Sequence, residues 1–209
     1  TLMKFQSKDI KKLDKVYRLN LINSITGIKP GNLIATKSKS GEDNVAIFSS
    51  VVHLGSSPAQ IGFVLRPQKT RKSDTYTNIS DSKFYTINHI SKEMYVKAHN
   101  TSIKDDVSEF ELLNIKKEFK DDFYAPYVKK SPIKLGMKMI DMIKLPNDCL
   151  FVIGEIENLY IESKLLNFDG TLDLEVGDIM GIGGLNTYYE LHKTDTLPYV
   201  RNIHDVNNK

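Results

Sequence analysis

Residues 44–66 read NVAIFSSVVHLGSSPAQIGFVLR, and the fold turns on this stretch. It opens with a strand-like apolar run, Val45-Ala46-Ile47-Phe48. Two adjacent hydroxyls follow at Ser49 and Ser50, then the β-branched pair Val51-Val52. Gly55-Ser56-Ser57-Pro58 supplies a turn, and residues 60–66 return as a strand apolar on both faces, as in a buried barrel. Two apolar strands around a serine-rich corner form a floor with hydroxyl and backbone donors at its edge. A flat, polar-edged heterocycle suits such a floor.

Working outward, residues 7–26 predict one helix, with Ser7 as N-cap and Ile10, Leu13, Val16, Tyr17 and Leu21 at helical spacing. Residues 32–38 predict a strand, and Ser40-Gly41 a turn into the central stretch. Downstream, a short helix is expected to end near Ser82, a strand at 84–90 and a helix at 92–99 that breaks at His99-Asn100-Thr101-Ser102. Asp106 is placed at the start of another short helix, and residues 114–131 read as irregular, with KKEFKDD as a solvated charge run. In residues 132–145, apolar side chains alternate with Lys134, Lys138 and Lys144, which predicts a long strand with one wet face. Residues 149–161 form its return strand, Asp169-Gly170 a further turn, and residues 186–191 a last strand or loop before a polar tail from Pro198. No internal repeat or linker is visible, so residues 1–209 read as a single domain.

Composition narrows the classes. At 40% hydrophobic and 26% charged, the chain has enough apolar sequence for a core in an ordinary globular protein. Its net charge of +3 is spread along the chain, which gives nucleic-acid binding little support. The single cysteine, Cys149, excludes an intrachain disulfide and fits a reducing, cytoplasmic setting. No run approaches the roughly 20 apolar residues that span a bilayer, and no signal peptide is expected, so no membrane partner is assigned.

Several groups admit two readings. Lys69, Arg71 and Lys72 precede Asp74-Thr75, where a helix should begin. Basic side chains at a helix N-terminus make an anion site, though a solvated basic loop looks the same in sequence. Arg66 ends an apolar strand, either as a phosphate fork or as a snorkelling edge arginine. His53, His89 and His99 do not show local metal-ligand spacing, so no metal is assigned. GDIMGIGG (177–184) lacks both the G-x-G-x-x-G and the Walker patterns. Tyr188-Tyr189 suits a ring cover or an ordinary interface.

Asn44, Ala46, Ser49, Ser50, Gly55, Pro58 and residues 61–65 together resemble the flavin reductase-like family, the FMN-binding split-barrel proteins that include flavoredoxin. RPQKTRKSDTYTNI, FYTINHI, KAHNTS, VSEF, APYVKKSPIKLG and GIGGLNTYYEL extend the resemblance over residues 17–201. It implies a mainly β, six- or seven-stranded Greek-key barrel with peripheral helices, forming a homodimer with flavin at the subunit interface. It further implies FMN contacts at Asn44, Ala46, Phe48, Ser49, Ser50, Val51, Arg66, Thr75, Tyr76, Asn78, His89, His99, Thr101, Ser102 and Tyr188. The implied function is passage of electrons from NAD(P)H to FMN and on to an acceptor, with no side chain acting as catalytic acid or base. A flavoredoxin-like carrier reduced by a protein partner is the alternative. A flavin-free barrel binding nucleic acid is a remote one, because the Lys134, Lys138, Lys144 row lacks interleaved aromatics.

Overall fold

The computed structural model describes residues 1–103 and 107–200. Helices α1 (Ser7–Lys12) and α2 (Lys15–Ser24) lead into β1 (Ile28–Pro30). Two hairpins follow, β2 (Asn32–Lys37) with β3 (Asp43–Phe48), and β4 (Val52–Ser56) with β5 (Ala59–Leu65). Helix α3 (Asp74–Ser82) carries the chain to β6 (Phe84–His89). Next come α4 (Tyr95–Asn100), α5 (Glu109–Leu112), and the short pair β7 (Lys117–Glu118) and β8 (Tyr127–Val128). The long hairpin β9 (Ile133–Lys144) and β10 (Leu150–Ile161) precedes β11 (Met180–Gly183) and β12 (Thr187–Glu190).

Seven strands hydrogen-bond in the order β3-β2-β6-β9-β10-β5-β4, all pairs antiparallel. The chain leaves β5 near one end of this order and re-enters at β6 in the middle, by way of α3. The sheet then curls so that its ends approach. Phe48 of β3 meets Phe63 of β5 edge-on, with ring centroids 5.2 Å apart. The Ser50 hydroxyl donates to the Val64 carbonyl at 3.2 Å and accepts from the Val64 N–H at 3.0 Å. A serine side chain thus satisfies the edge of β5 that β4 stops short of.

Strand alternation sorts side chains into two cores. Ile34, Phe63, Tyr85, Ile87, Leu135, Met137 and Val152 fill the barrel interior, with Ile79 of α3. Leu33, Ala35 and Val45 face outward against Met94, Ala98, Phe110, Ile115 and Val128. Strand β2 is therefore buried on both faces.

The structure departs from the sequence expectations in particular places. The N-terminal helix is two helices, because the Asp14 carboxylate accepts from Val16 N–H at 2.9 Å and Tyr17 N–H at 3.1 Å and caps a second start. Gln6, not Ser7, occupies the first N-cap. Residues 52–56 form an additional strand, β4, an exposed edge paired only with β5. Strand β9 lacks a continuous wet face. Lys134 is 9% exposed because its Nζ reaches the Lys129 carbonyl at 2.8 Å and pairs with Glu118. The charge run is likewise partly structured, since Lys117 and Glu118 form β7. Residues 180–183 of the glycine-rich stretch are strand β11, where a Cβ on Gly181 would lie 2.3 Å from Ile28. Asp106 and residues 201–209 of the tail lie outside the described residues, and Pro198–200 carry no regular element.

Candidate functional site

Strand β3 is one end of the sheet, so its outer N–H and C=O groups need partners. Side chains of Thr101, Ser108 and Glu109 supply them. The Thr101 hydroxyl accepts from Ile47 N–H at 2.9 Å and donates to the Ala98 carbonyl at 2.7 Å. The Glu109 carboxylate accepts from Val45 N–H at 3.2 Å, and the Ser108 hydroxyl donates to the Asp43 carbonyl. With Val45 and Ile47 turned to the outer core, period-two alternation turns Asn44, Ala46 and Phe48 to the other face. Phe48 packs on the barrel interior and Asn44 faces α3.

A polar cleft of about 550 Å³ opens beside Asn44, lined among others by Arg71, Asp74, Asn78, Glu109 and Lys117. Its wall carries five carboxylates, Glu42, Asp43, Asp74, Glu109 and Glu111, against two cations, Arg71 and Lys117. Lys117 is 2.6 Å from Asp43, whose other oxygen, Oδ1, is buried without a partner among the described residues. Asn44 links three elements: its Nδ2 donates to Glu109 at 2.8 Å and its Oδ1 accepts from Thr75 of α3 at 3.1 Å. Burial pushes the Glu109 carboxyl above the usual carboxylate range, and the Val45 and Asn44 donors only partly offset this.

The sequence-predicted residues fall into separate groups. Asn44 and Asn78 line the cleft and Thr75 stands behind Asn44, bonded to it, but buried Asn78 spends its amide on the Thr36 hydroxyl at 3.0 Å. Ser49 and Val51 sit half-buried at the corner after β3, and the Ser49 hydroxyl bonds no other described residue. Tyr76 packs against the interior, with Lys72 Nζ 5.8 Å from its ring centroid. His99 Nδ1 lies 3.0 Å from the Tyr188 hydroxyl, and the Tyr95 ring packs on Tyr188 at 5.2 Å. Burial pushes the Tyr188 hydroxyl up to about 12. Ser102 is exposed. His89, cross-strand from Asn32, has a buried Nδ1 without a partner among the described residues, and burial lowers its pKa to about 4. His53 is exposed on β4.

The anion group divides. Arg66 is exposed beyond the end of β5 and is not part of the cleft wall, while Lys69 pairs with Asp148 at 2.7 Å on the β9–β10 turn. The basic side chain of that loop that lines the cleft is Arg71, next to the N-terminus of α3, where Ser73 is the cap and accepts from Tyr76 N–H at 3.2 Å. Sequence reasoning missed Glu109. Its signal was the Ser108-Glu109 pair within VSEF, polar residues ahead of buried Phe110.

The family described as flavin reductase like domain matches residues 28–173. A protein of Shewanella frigidimarina, described as a flavin reductase with a split barrel domain, is 39% identical with a TM-score of 0.90. That match covers 95% of this chain and 100% of the other. Nitrilotriacetate monooxygenase component B of Bacillus cereus aligns at 16% identity and TM-score 0.83, over 94% of this chain and 99% of its own. Flavoredoxin of Desulfovibrio vulgaris aligns at 22% and 0.71, over 81% and 90%. The last two likenesses concern the fold alone. The fold is a mainly β split barrel, as the sequence implied.

Proposed function

The chain belongs to the flavin reductase-like domain family, and from that premise we propose that it is an FMN-binding oxidoreductase that passes electrons from NAD(P)H to flavin and on to an acceptor. One observation carries the reading. The β3 face bearing Asn44, Ala46 and Phe48 runs into the Ser49–51 corner on one side and opens on a 550 Å³ cleft containing Arg71 on the other. Clefts of this size hold small-molecule ligands. The chemistry supplied by bound FMN is hydride acceptance from a reduced nicotinamide and electron release to an acceptor.

This chain's residues bind and orient. The small Ala46 side chain leaves room for a ring against the strand, and the Ser49 hydroxyl, without an internal partner, is a donor at the ring's edge. Phe48 and Val51 supply apolar contact. Arg71 beside the first turn of α3 takes the phosphate, a role its planar fork suits. Arg71 has a different place here from Arg66, which stands clear of the cleft. The reading includes a single domain, a homodimer with flavin at the subunit interface and a cytoplasmic setting.

Titration of FMN and riboflavin against wild type and Arg71→Ala tests it. A charged hydrogen bond contributes about 1.5–3 kcal/mol, so Arg71→Ala should weaken FMN by about 10- to 150-fold and leave riboflavin nearly unchanged. A wild-type protein that binds neither ligand refutes the proposal. The second reading is a flavoredoxin-like electron carrier reduced by a protein partner, which membership of the flavin reductase-like family leaves open. Slow reduction by NADH and NADPH with fast reduction by a reduced protein donor selects it. Of the lysine row, Lys134 is buried, while Lys138 and Lys144 stay exposed on β9.

A further inference from the structure

We propose that Glu109 is the positioning residue of this site: by accepting from both Asn44 Nδ2 and Val45 N–H, its carboxylate fixes the face that the Asn44 amide presents to the cleft. The inference rests on the flavin reading above and adds to it a residue that need not touch the flavin.

The argument is one of donors and acceptors. An ionised carboxylate only accepts, whereas an asparagine amide presents a carbonyl on one side and two N–H groups on the other. Facing Glu109, Asn44 must turn its Nδ2 toward the carboxylate. Its Oδ1 then falls to the Thr75 hydroxyl, which donates at 3.1 Å. The second Nδ2 hydrogen is left over, on a residue that lines the cleft, where it is a donor for a ligand carbonyl or ring nitrogen. The same carboxylate oxygen holds the Val45 N–H, so the backbone of β3 and the Asn44 side chain are set by one group. Glu109 is 8% exposed.

Protonation would remove the constraint. A neutral carboxylic acid both donates and accepts, so Asn44 could bond it in either orientation. The flavin site is therefore sensitive to acid through Glu109. Among the described residues, the other charged groups facing this point are Asp43 on β3, Asp74 and Arg71 at the start of α3, Lys117 on β7, and Glu42 and Glu111. All of these remain in a Glu109 variant, so a difference from wild type isolates Glu109.

The experiment compares wild type with Glu109→Gln, which keeps shape and one acceptor oxygen but has no charge and no fixed orientation. FMN and riboflavin are titrated from pH 5 to 8, riboflavin serving to remove the titration of the FMN phosphate. The side-chain amide of Asn44 is followed by NMR in ligand-free protein over the same range. Wild type should lose affinity for both flavins toward acid, with the Asn44 Nδ2 protons shifting in parallel. Glu109→Gln should bind both about fivefold more weakly at pH 8, the size of one neutral hydrogen bond, because the ligand contact at stake is the Asn44 amide donor. Its affinity difference from wild type should shrink toward pH 5, and its Asn44 resonances should not follow pH. A variant whose affinity and pH profile match those of wild type overturns the positioning role while leaving the flavin reading intact. A wild-type protein that binds no flavin overturns both.

Discussion

His89 gives the fold a pH dependence that can be worked out in advance. Its pKa falls from 6.5 to about 4, because burial disfavours the imidazolium, and its Nδ1 is buried without a partner among the described residues. The folded chain therefore holds this histidine neutral at a pH where the unfolded chain protonates it. The contribution is fully favourable above pH 6.5 and is lost as pH falls from there toward 4. At 1.36 kcal/mol per pH unit, the whole span amounts to about 3 kcal/mol, of which about 2 kcal/mol is lost between pH 7 and pH 5. The Glu109 carboxyl, with its raised pKa, works in the opposite sense in acid, so a single profile mixes signs. The difference between two profiles does not. Urea unfolding of wild type and His89→Phe at pH 7, 6 and 5 should show wild type losing about 2 kcal/mol more than the variant over that range. Profiles that stay parallel would mean that the His89 ring takes up its proton in the folded state as readily as in water, and the burial argument would be wrong.

Two further perturbations address β3 directly. Ala46→Leu puts a larger side chain on the half-buried face where a ring should lie, and it should reduce FMN affinity at least about tenfold with the melting temperature little changed. Flavin fluorescence quenching reads this, and an unchanged affinity moves the ring off this strand. Thr101→Val keeps the volume of a residue that is 3% exposed but leaves the Ile47 N–H without an acceptor. An unsatisfied buried donor costs about 1–3 kcal/mol, which denaturant unfolding should register. A cost below about 0.5 kcal/mol would show that water replaces the hydroxyl.

What the sequence disclosed and what it hid follow from how far apart the interacting residues stand. The β9–β10 hairpin was legible because alternation and the Pro146-Asn147-Asp148 turn are local signals. Strand β4 was not, because an exposed edge strand has no buried face to impose a period, and its Val52, His53 and Leu54 are all exposed. Lys134 looked like a solvent residue because the groups that bury it, Glu118 and the Lys129 carbonyl, belong to a hairpin outside β9. The site divides in the same way. Asn44, Thr75 and Asn78 could be grouped through the family resemblance. Arg66 stands exposed past the end of an apolar strand, while the course of the loop into α3, which no local pattern gives, brings Arg71 to the cleft wall. Glu109 lies 65 positions from Asn44, and nothing around either residue predicts their bond. Yet that bond and those of Ser108 and Thr101 have a general cause. An edge strand that carries a binding face cannot cover its outer backbone with another strand on the ligand's side without closing the site. Side chains of Thr101, Ser108 and Glu109 satisfy the edge instead, and Glu109 reaches around it to Asn44. Stability of the β3 edge and geometry of the cleft are thereby coupled. A ligand that binds only the folded edge should raise its stability by about 2.7 kcal/mol at a concentration of 100 Kd.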